Sequence, residues 1–194
     1  MNSTSELRKL LNTNEEVLWS GKPVRKAFIL PGLLSVPFGL IFLAMSLFFM
    51  WTMTSSGAPV FTSLFVLPFF FAGFAVAFGP ALFQLLRYRN TEYMITNKRI
   101  ITQTGAIGLD TRFVDLEKIQ EVYVQIGLID RLFGTGTLFA MTAGFSGFAP
   151  RSGYGNRYGG FYGRPSFAAL KEPYKVHKLL QEAIENSKKD KTEF

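Results

Sequence analysis

The sequence predicts an α+β membrane protein: a two-helix transmembrane hairpin, then an antiparallel β meander or barrel capped by a C-terminal α-helix. Three observations predict it. Residues 27–86 are 60 consecutive positions without Asp, Glu, Lys, Arg or His, in a chain of 194 residues with 35 charged side chains. Short, β-prone runs bounded by Gly, Asp or Asn follow the block. A segment with apolar residues at helical spacing comes last.

Taken in order, residues 1–27 read as a cytoplasmic N-terminal segment. Within it "SELRKLL", 5–11, has the pattern of a short amphipathic helix lying on a membrane surface. Residues 28–86 read as the hairpin, with spans at 28–51 and 60–86 joined by the uncharged "TMTSSGAP". At about 1.5 Å per residue either span crosses a hydrocarbon core of roughly 30 Å. Cleavage of the first span as a signal peptide is not expected: its apolar core is too long, and Glu6, Glu15 and Glu16 precede it. Lys22, Arg25 and Lys26 precede the first span, and Arg87 and Arg89 follow the second. The positive-inside rule therefore puts both termini in the cytoplasm. Trp51 and Tyr88 join these five basic residues as membrane-interface anchors.

Four prolines interrupt the block. Pro31 falls in the first turn of its span, whereas Pro37, Pro68 and Pro80 predict kinks. Gly73 with Ala77, Ala75 with Gly79 and Ser35 with Gly39 are small residues at four-residue spacing, which favours close packing within the hairpin over contacts in an oligomer.

Residues 87–187 read as the β domain. "TEYMIT" (91–96) and "RIITQTG" (99–105) form a hairpin about Asn97-Lys98, since Asn tolerates positive φ. "RFVDL" (112–116), "EVYVQIG" (121–127), "TLFAMTA" (137–143) and "SFAAL" (166–170) add further strands. Pro173 opens a helix over 173–187 with Val176, Leu179, Leu180, Ala183 and Ile184 on its apolar face, and 188–194 is a charged tail.

The net charge of +7 divides as +2 over 1–26, +1 over 87–143, +3 over 144–170 and +1 over 171–194. That distribution suits an anionic membrane surface better than a nucleic-acid groove. The absence of cysteine excludes disulfides, Cys-ligated zinc and Cys nucleophiles. A single histidine, His177, has no second His or Cys to build a metal or nucleophilic site, and reads as a solvated or half-buried helix residue. "GTG" (134–136) reads as a turn rather than a phosphate cradle. No cofactor and no enzymatic activity are expected.

Four segments carry a family resemblance: "EEVLWSGKP" (15–23), "YMITNKRIITQTGAIG" (93–108), "DLEKIQEVYVQIGLIDRLFGTGTL" (115–138) and "EPYKVHKLLQEAI" (172–184). In this order they resemble the bacterial and archaeal pleckstrin-homology-like (PH-like) membrane proteins. The resemblance implies a seven-stranded, strongly bent sheet capped by a C-terminal helix. It assigns no ligand residues. One stretch departs from the pattern: 144–167 stands where a short strand connection belongs. Residues 144–165 hold seven Gly, six aromatics, three Arg and no acid, the composition of a long loop.

The lipid- or partner-contact candidates are Lys98, Arg99 and Arg112 near the first hairpin, and Phe148, Arg151, Tyr154, Arg157, Tyr158, Phe161 and Arg164 in the loop. Arginine beside aromatics suits headgroups, a protein partner, self-association or single-stranded nucleic acid. The membrane setting favours lipid or protein over nucleic acid, with a plain flexible insertion as the alternative. The expected function is thus a non-enzymatic, membrane-anchored module that recruits a protein partner or contacts anionic headgroups. The alternative is an accessory subunit of a larger integral-membrane complex. A transporter is disfavoured by the lack of ionisable groups in the spans.

Overall fold

The computed structural model describes residues 7–57, 59–143 and 166–192. The chain divides into two units. One combines residues up to Phe28 with those from Arg87 onward, and the other is Ile29–Leu86.

Among the described residues, the first unit holds seven strands in two antiparallel sheets. Strands β1 (Val17–Gly21), β2 (Glu92–Thr96), β3 (Arg99–Thr104) and β4 (Asp110–Asp115) form one sheet in that order. Strands β5 (Ile119–Gln125), β6 (Thr135–Thr142) and β7 (Ser166–Lys171) form the other. The expected barrel is not closed. A 3-10 turn at Leu116–Lys118 carries the chain from β4 to β5 and ends the first ladder there. A further departure concerns the N-terminal segment, read above as separate from the β domain. Its "VLWSG" is β1, pairing with β2 from Val17↔Thr96 to Gly21↔Tyr93.

Alternation explains the core. Tyr93, Ile95 and Ile100 point into the main cluster with Leu116, Ile119, Leu138 and Phe167. The intervening Met94 and Ile101 point to the other face, where Leu7 is buried against them and Leu11 and Val17 pack alongside. This is why every residue of β2 is buried. It also corrects the expectation for "SELRKLL": leucines spaced to lie on a membrane serve equally to cover a sheet, and Leu7 is 1% exposed. The C-terminal helix, Pro173–Thr192, closes the main core with Val176, Leu180, Ala183 and Ile184. It runs past the expected residue 187, to Thr192.

The second unit lies between β1 and β2 in the chain. Helix α1 (Arg25–Leu33) breaks at Leu34–Ser35, and α2 (Val36–Ser55) follows. Pro37 falls in the first turn of α2, so it ends one helix and starts another instead of kinking a single span. Ser35 Oγ donates to the Gly32 carbonyl across the break. Pro31 is interior, because α1 begins at Arg25. Residues Val60–Phe65 form a 3-10 helix instead of the start of an α-helix, and α3 (Leu67–Arg89) follows with Pro68 in its first turn and Pro80 inside. A Cβ on Gly39 would overlap the Ala77 backbone, and one on Gly73 would meet Phe42 and Leu43. Two of the small-residue sites therefore bring α2 and α3 together. Gly79 has no such neighbour, and Ala75 and Gly79 are exposed. Hydroxyls within α2 donate to their own helix, as Ser46 Oγ does to the Phe42 carbonyl. By length and composition the helical segments Arg25–Ser55, which takes in α1 and α2, and Leu67–Arg89 are able to cross a membrane.

One further helix of the β unit is short. Residues Leu128–Phe133 form α4 between β5 and β6, and Pro173–Thr192 is thus α5. Gly134, at φ 61°, ends α4 in the left-handed conformation, so the first glycine of "GTG" is a helix terminator.

Candidate interaction surfaces

The basic trio near the first hairpin has three different fates. Arg99 faces Glu15, whose side chain is fully buried. Arg99 Nε donates to Oε1 at 2.9 Å and Nη2 to Oε2 at 2.8 Å, the two-pronged geometry in which guanidinium and carboxylate fit. Thr96 Oγ1 donates to the same carboxylate at 2.7 Å, and the Asn12 N–H at 3.1 Å. Burial disfavours the Glu15 charge. The hydrogen bonds from Arg99, Asn12 and Thr96 outweigh it and hold this carboxyl below its ordinary range. Arg99 also donates to the Leu10 carbonyl and covers the Phe113 ring at 4.7 Å. Arg99 is committed to holding the N-terminal segment against the sheet.

Its neighbours share that task. Asn97 Oδ1 accepts from the Glu16 N–H, and the Asn97 N–H donates to the Glu16 carbonyl. Thr96 Oγ1 accepts from the N–H groups of Lys98 and Arg99 and so shapes the turn. Asn97 does not use positive φ, the property the sequence reading relied on. Arg112 pairs with Asp110 at 3.1 Å. It stands opposite Thr102 in the ladder, whereas Arg99 stands opposite Asp115, about 10 Å along β3. The trio is not a cluster.

Lys98 is exposed and lines an open groove of about 460 Å³. The turn Asn97–Lys98, Leu18 of β1, Asp115, Glu117 and the α5 residues Ala183, Asn186 and Ser187 complete it. Apart from Lys98, sequence reasoning missed these residues. They lie on four separate stretches, and no local signal marks them. The groove mixes both charges with an exposed leucine, a surface that suits a polypeptide better than a phosphate.

The opposite end of the β1–β4 sheet carries the junctions with the apolar helices. Gly21 pairs with Tyr93, and Lys22 reaches the buried Glu92 at 2.9 Å. Ala27, Phe28 and Tyr88 pack with Ala168, Ala169, Ile129 and Phe133. The Phe28 and Tyr88 rings lie 6.2 Å apart. Arg25, Lys26 and Arg89 are exposed and Arg87 is half-buried. Six of the seven expected anchors therefore gather at one end of this unit. Trp51 lies in the other unit, exposed on α2.

His177 is half-buried on α5, and its Nε2 lies 3.2 Å from the Val122 carbonyl. The carbonyl only accepts, so the ring donates and covers a backbone group on the edge strand β5. No group of three His, Cys, Asp or Glu able to hold a metal occurs among the described residues. Phe148, Arg151, Tyr154, Arg157, Tyr158, Phe161 and Arg164 lie outside the described residues.

No curated protein and no solved structure matches the chain. The model of the bacterial PH domain family matches residues 27–183. That range takes in both apolar helices as well as β2 through most of α5. PH-like domains are generally non-catalytic modules that bind lipid or protein. Seven antiparallel strands in two sheets, a closing C-terminal helix and a match over most of the sequence lead to one conclusion: the chain belongs to the bacterial PH domain family.

Proposed function

We propose that the protein is a non-enzymatic, membrane-anchored PH-type module. Helices α2 and α3 cross the bilayer, the β unit stands at its cytoplasmic face, and the groove around Lys98 recruits a protein partner. The observation that carries the reading is the surface of the apolar helices. Phe38, Phe48, Phe69 and Phe71 are 61–64% exposed on helices without a charged residue between Ala27 and Leu86. Aromatic surface of that extent is costly in water and stable in lipid. Tethering raises the local concentration of the β unit at the membrane, so a weak groove contact suffices for recruitment.

The cysteine-free sequence offers a direct test. Ser56→Cys and Asn186→Cys are each treated with a membrane-impermeant maleimide in intact cells. Labelling of Cys at 56 before lysis, and of Cys at 186 only after lysis, is expected. The opposite pattern, or recovery of the protein without detergent, overturns the reading. An affinity capture in mild detergent then compares the intact protein with Lys98→Glu. A defined partner lost in the variant supports recruitment through the groove.

A second reading, an accessory subunit of a larger membrane complex, draws on the exposed Ala75 and Gly79, where a partner helix approaches closely. Extraction that always yields a lone monomer argues against it.

A further inference from the structure

We infer that the end of the β unit bearing the helix junctions inserts apolar side chains into the bilayer interface, so that the membrane holds the domain through its own surface as well as through the helices. The inference rests on the membrane-anchored reading. Two features at that end point to it.

The first is α4. Its Ile129 and Phe133 pack against the cluster of Ala27, Phe28, Ala168 and Ala169, and Tyr88 packs against the same cluster, so α4 shares it with the residues through which the chain enters and leaves the apolar helices. With that face fixed, Leu128 and Leu132 point outward, 85% and 73% exposed. They stand four residues apart, on one side of the helix, with the exposed Arg131 beside them. The second feature is the β3–β4 turn. Asn90, directly after α3, donates from Nδ2 to the Gly105 carbonyl and ties this turn to the helix end. At its tip Ile107 is 95% exposed and Leu109 64%.

Leucine and isoleucine held outward on ordered backbone form a surface that calls for a partner. Charge and connectivity name the partner as lipid. Arg25, Lys26, Arg89 and Arg131 are exposed at the same end, and the nearby acids Glu92 and Asp110 are paired with Lys22 and Arg112. Apolar tips ringed by arginine and lysine match the boundary between acyl chains and anionic headgroups.

The test uses the full chain in vesicles of phosphatidylcholine and phosphatidylglycerol carrying a nitroxide on the acyl chain. An environment-sensitive fluorophore is attached at Ile107→Cys, Leu128→Cys or Leu132→Cys. Leu47→Cys on α2 and Asn186→Cys in the groove serve as references. The inference expects blue-shifted, nitroxide-quenched emission at 107, 128 and 132, nearer to that at 47 than to that at 186. Quenching at 47 with water-like emission at 107, 128 and 132 overturns it and leaves the anchor intact. A blue shift without quenching at these three positions also overturns it, because protein then covers them. Absence of quenching at 47 removes the anchor and the inference together.

Discussion

Glu15 and Arg99 lie 84 positions apart, yet between them they fasten the N-terminal segment to the β2–β3 turn. Glu15 is buried and Arg99 retains some contact with water. Removing one partner of such a pair strands the other, which costs about 3 kcal/mol, the lower end of the range for buried pairs. Glu15→Ala is therefore expected to lower the midpoint of thermal unfolding by several degrees, measured by circular dichroism in detergent. Replacing Lys98, which is exposed on the same turn, should leave it unchanged. The pH dependence has a definite sign. The Glu15 carboxyl is held below its ordinary range in the folded protein. Its contribution is present above the unfolded value of about 4.3 and is lost as pH falls through the lower folded value. Wild type should lose stability across that acid window, and Glu15→Gln should start less stable and change less there.

Elements differ in how far their sequences announce them. β2 and β3 are β-prone runs about a two-residue turn, and α5 repeats its apolar residues at helical spacing, so all three are legible locally. β1 is only five residues long and pairs with a strand that lies beyond the whole apolar block. Its neighbours in sequence say nothing about that partner. α4 has six residues, too few for a period to emerge. The fate of Arg99 was hidden for the same reason as β1: its partner is distant in the chain. The groove around Lys98 was equally hidden, being assembled from separate segments. Small residues in the apolar block were legible as a packing signal, but only the structure separates those that pack from those that face outward. Gly39→Leu should force α2 from α3, since even a Cβ meets the Ala77 backbone. We expect a loss of about 3 kcal/mol, read as reduced resistance to unfolding in a detergent series. Gly79→Leu, where nothing lies within 4 Å, should leave hairpin stability unchanged or slightly improved through helix propensity. Covering the sheet with Leu7 is likewise an element-scale contribution. Leu7→Ala opens space against Met94 and Ile101 and should cost about 2–3 kcal/mol in the same assay.

At the scale of the molecule, the order of the chain and the order of the fold disagree, and the disagreement is informative. β1 is made before the apolar helices and its partner β2 after them, so the β unit forms only when the chain has gone out through α1 and returned through α3. The two ends meet: Phe28 and Tyr88 have ring centroids 6.2 Å apart and share a cluster with β7 and α4. The main core of the β unit draws only on strands, turns and α5 of that unit. Residues 29–86 should therefore be dispensable for its folding. A variant in which a short Gly/Ser linker replaces them should fold without detergent, because a few flexible residues span so small a gap. Expected are a strand-rich circular dichroism spectrum, a single cooperative unfolding transition, and protection of the Trp19 ring, which stacks on Phe167 at 5.9 Å. Removing residues 1–21 from this variant takes away β1, the Leu7 cover and Glu15 together, and should abolish cooperative unfolding. If the truncated form instead unfolds with the same midpoint, β1 is an accessory strand and the family's fold is complete from β2 onward.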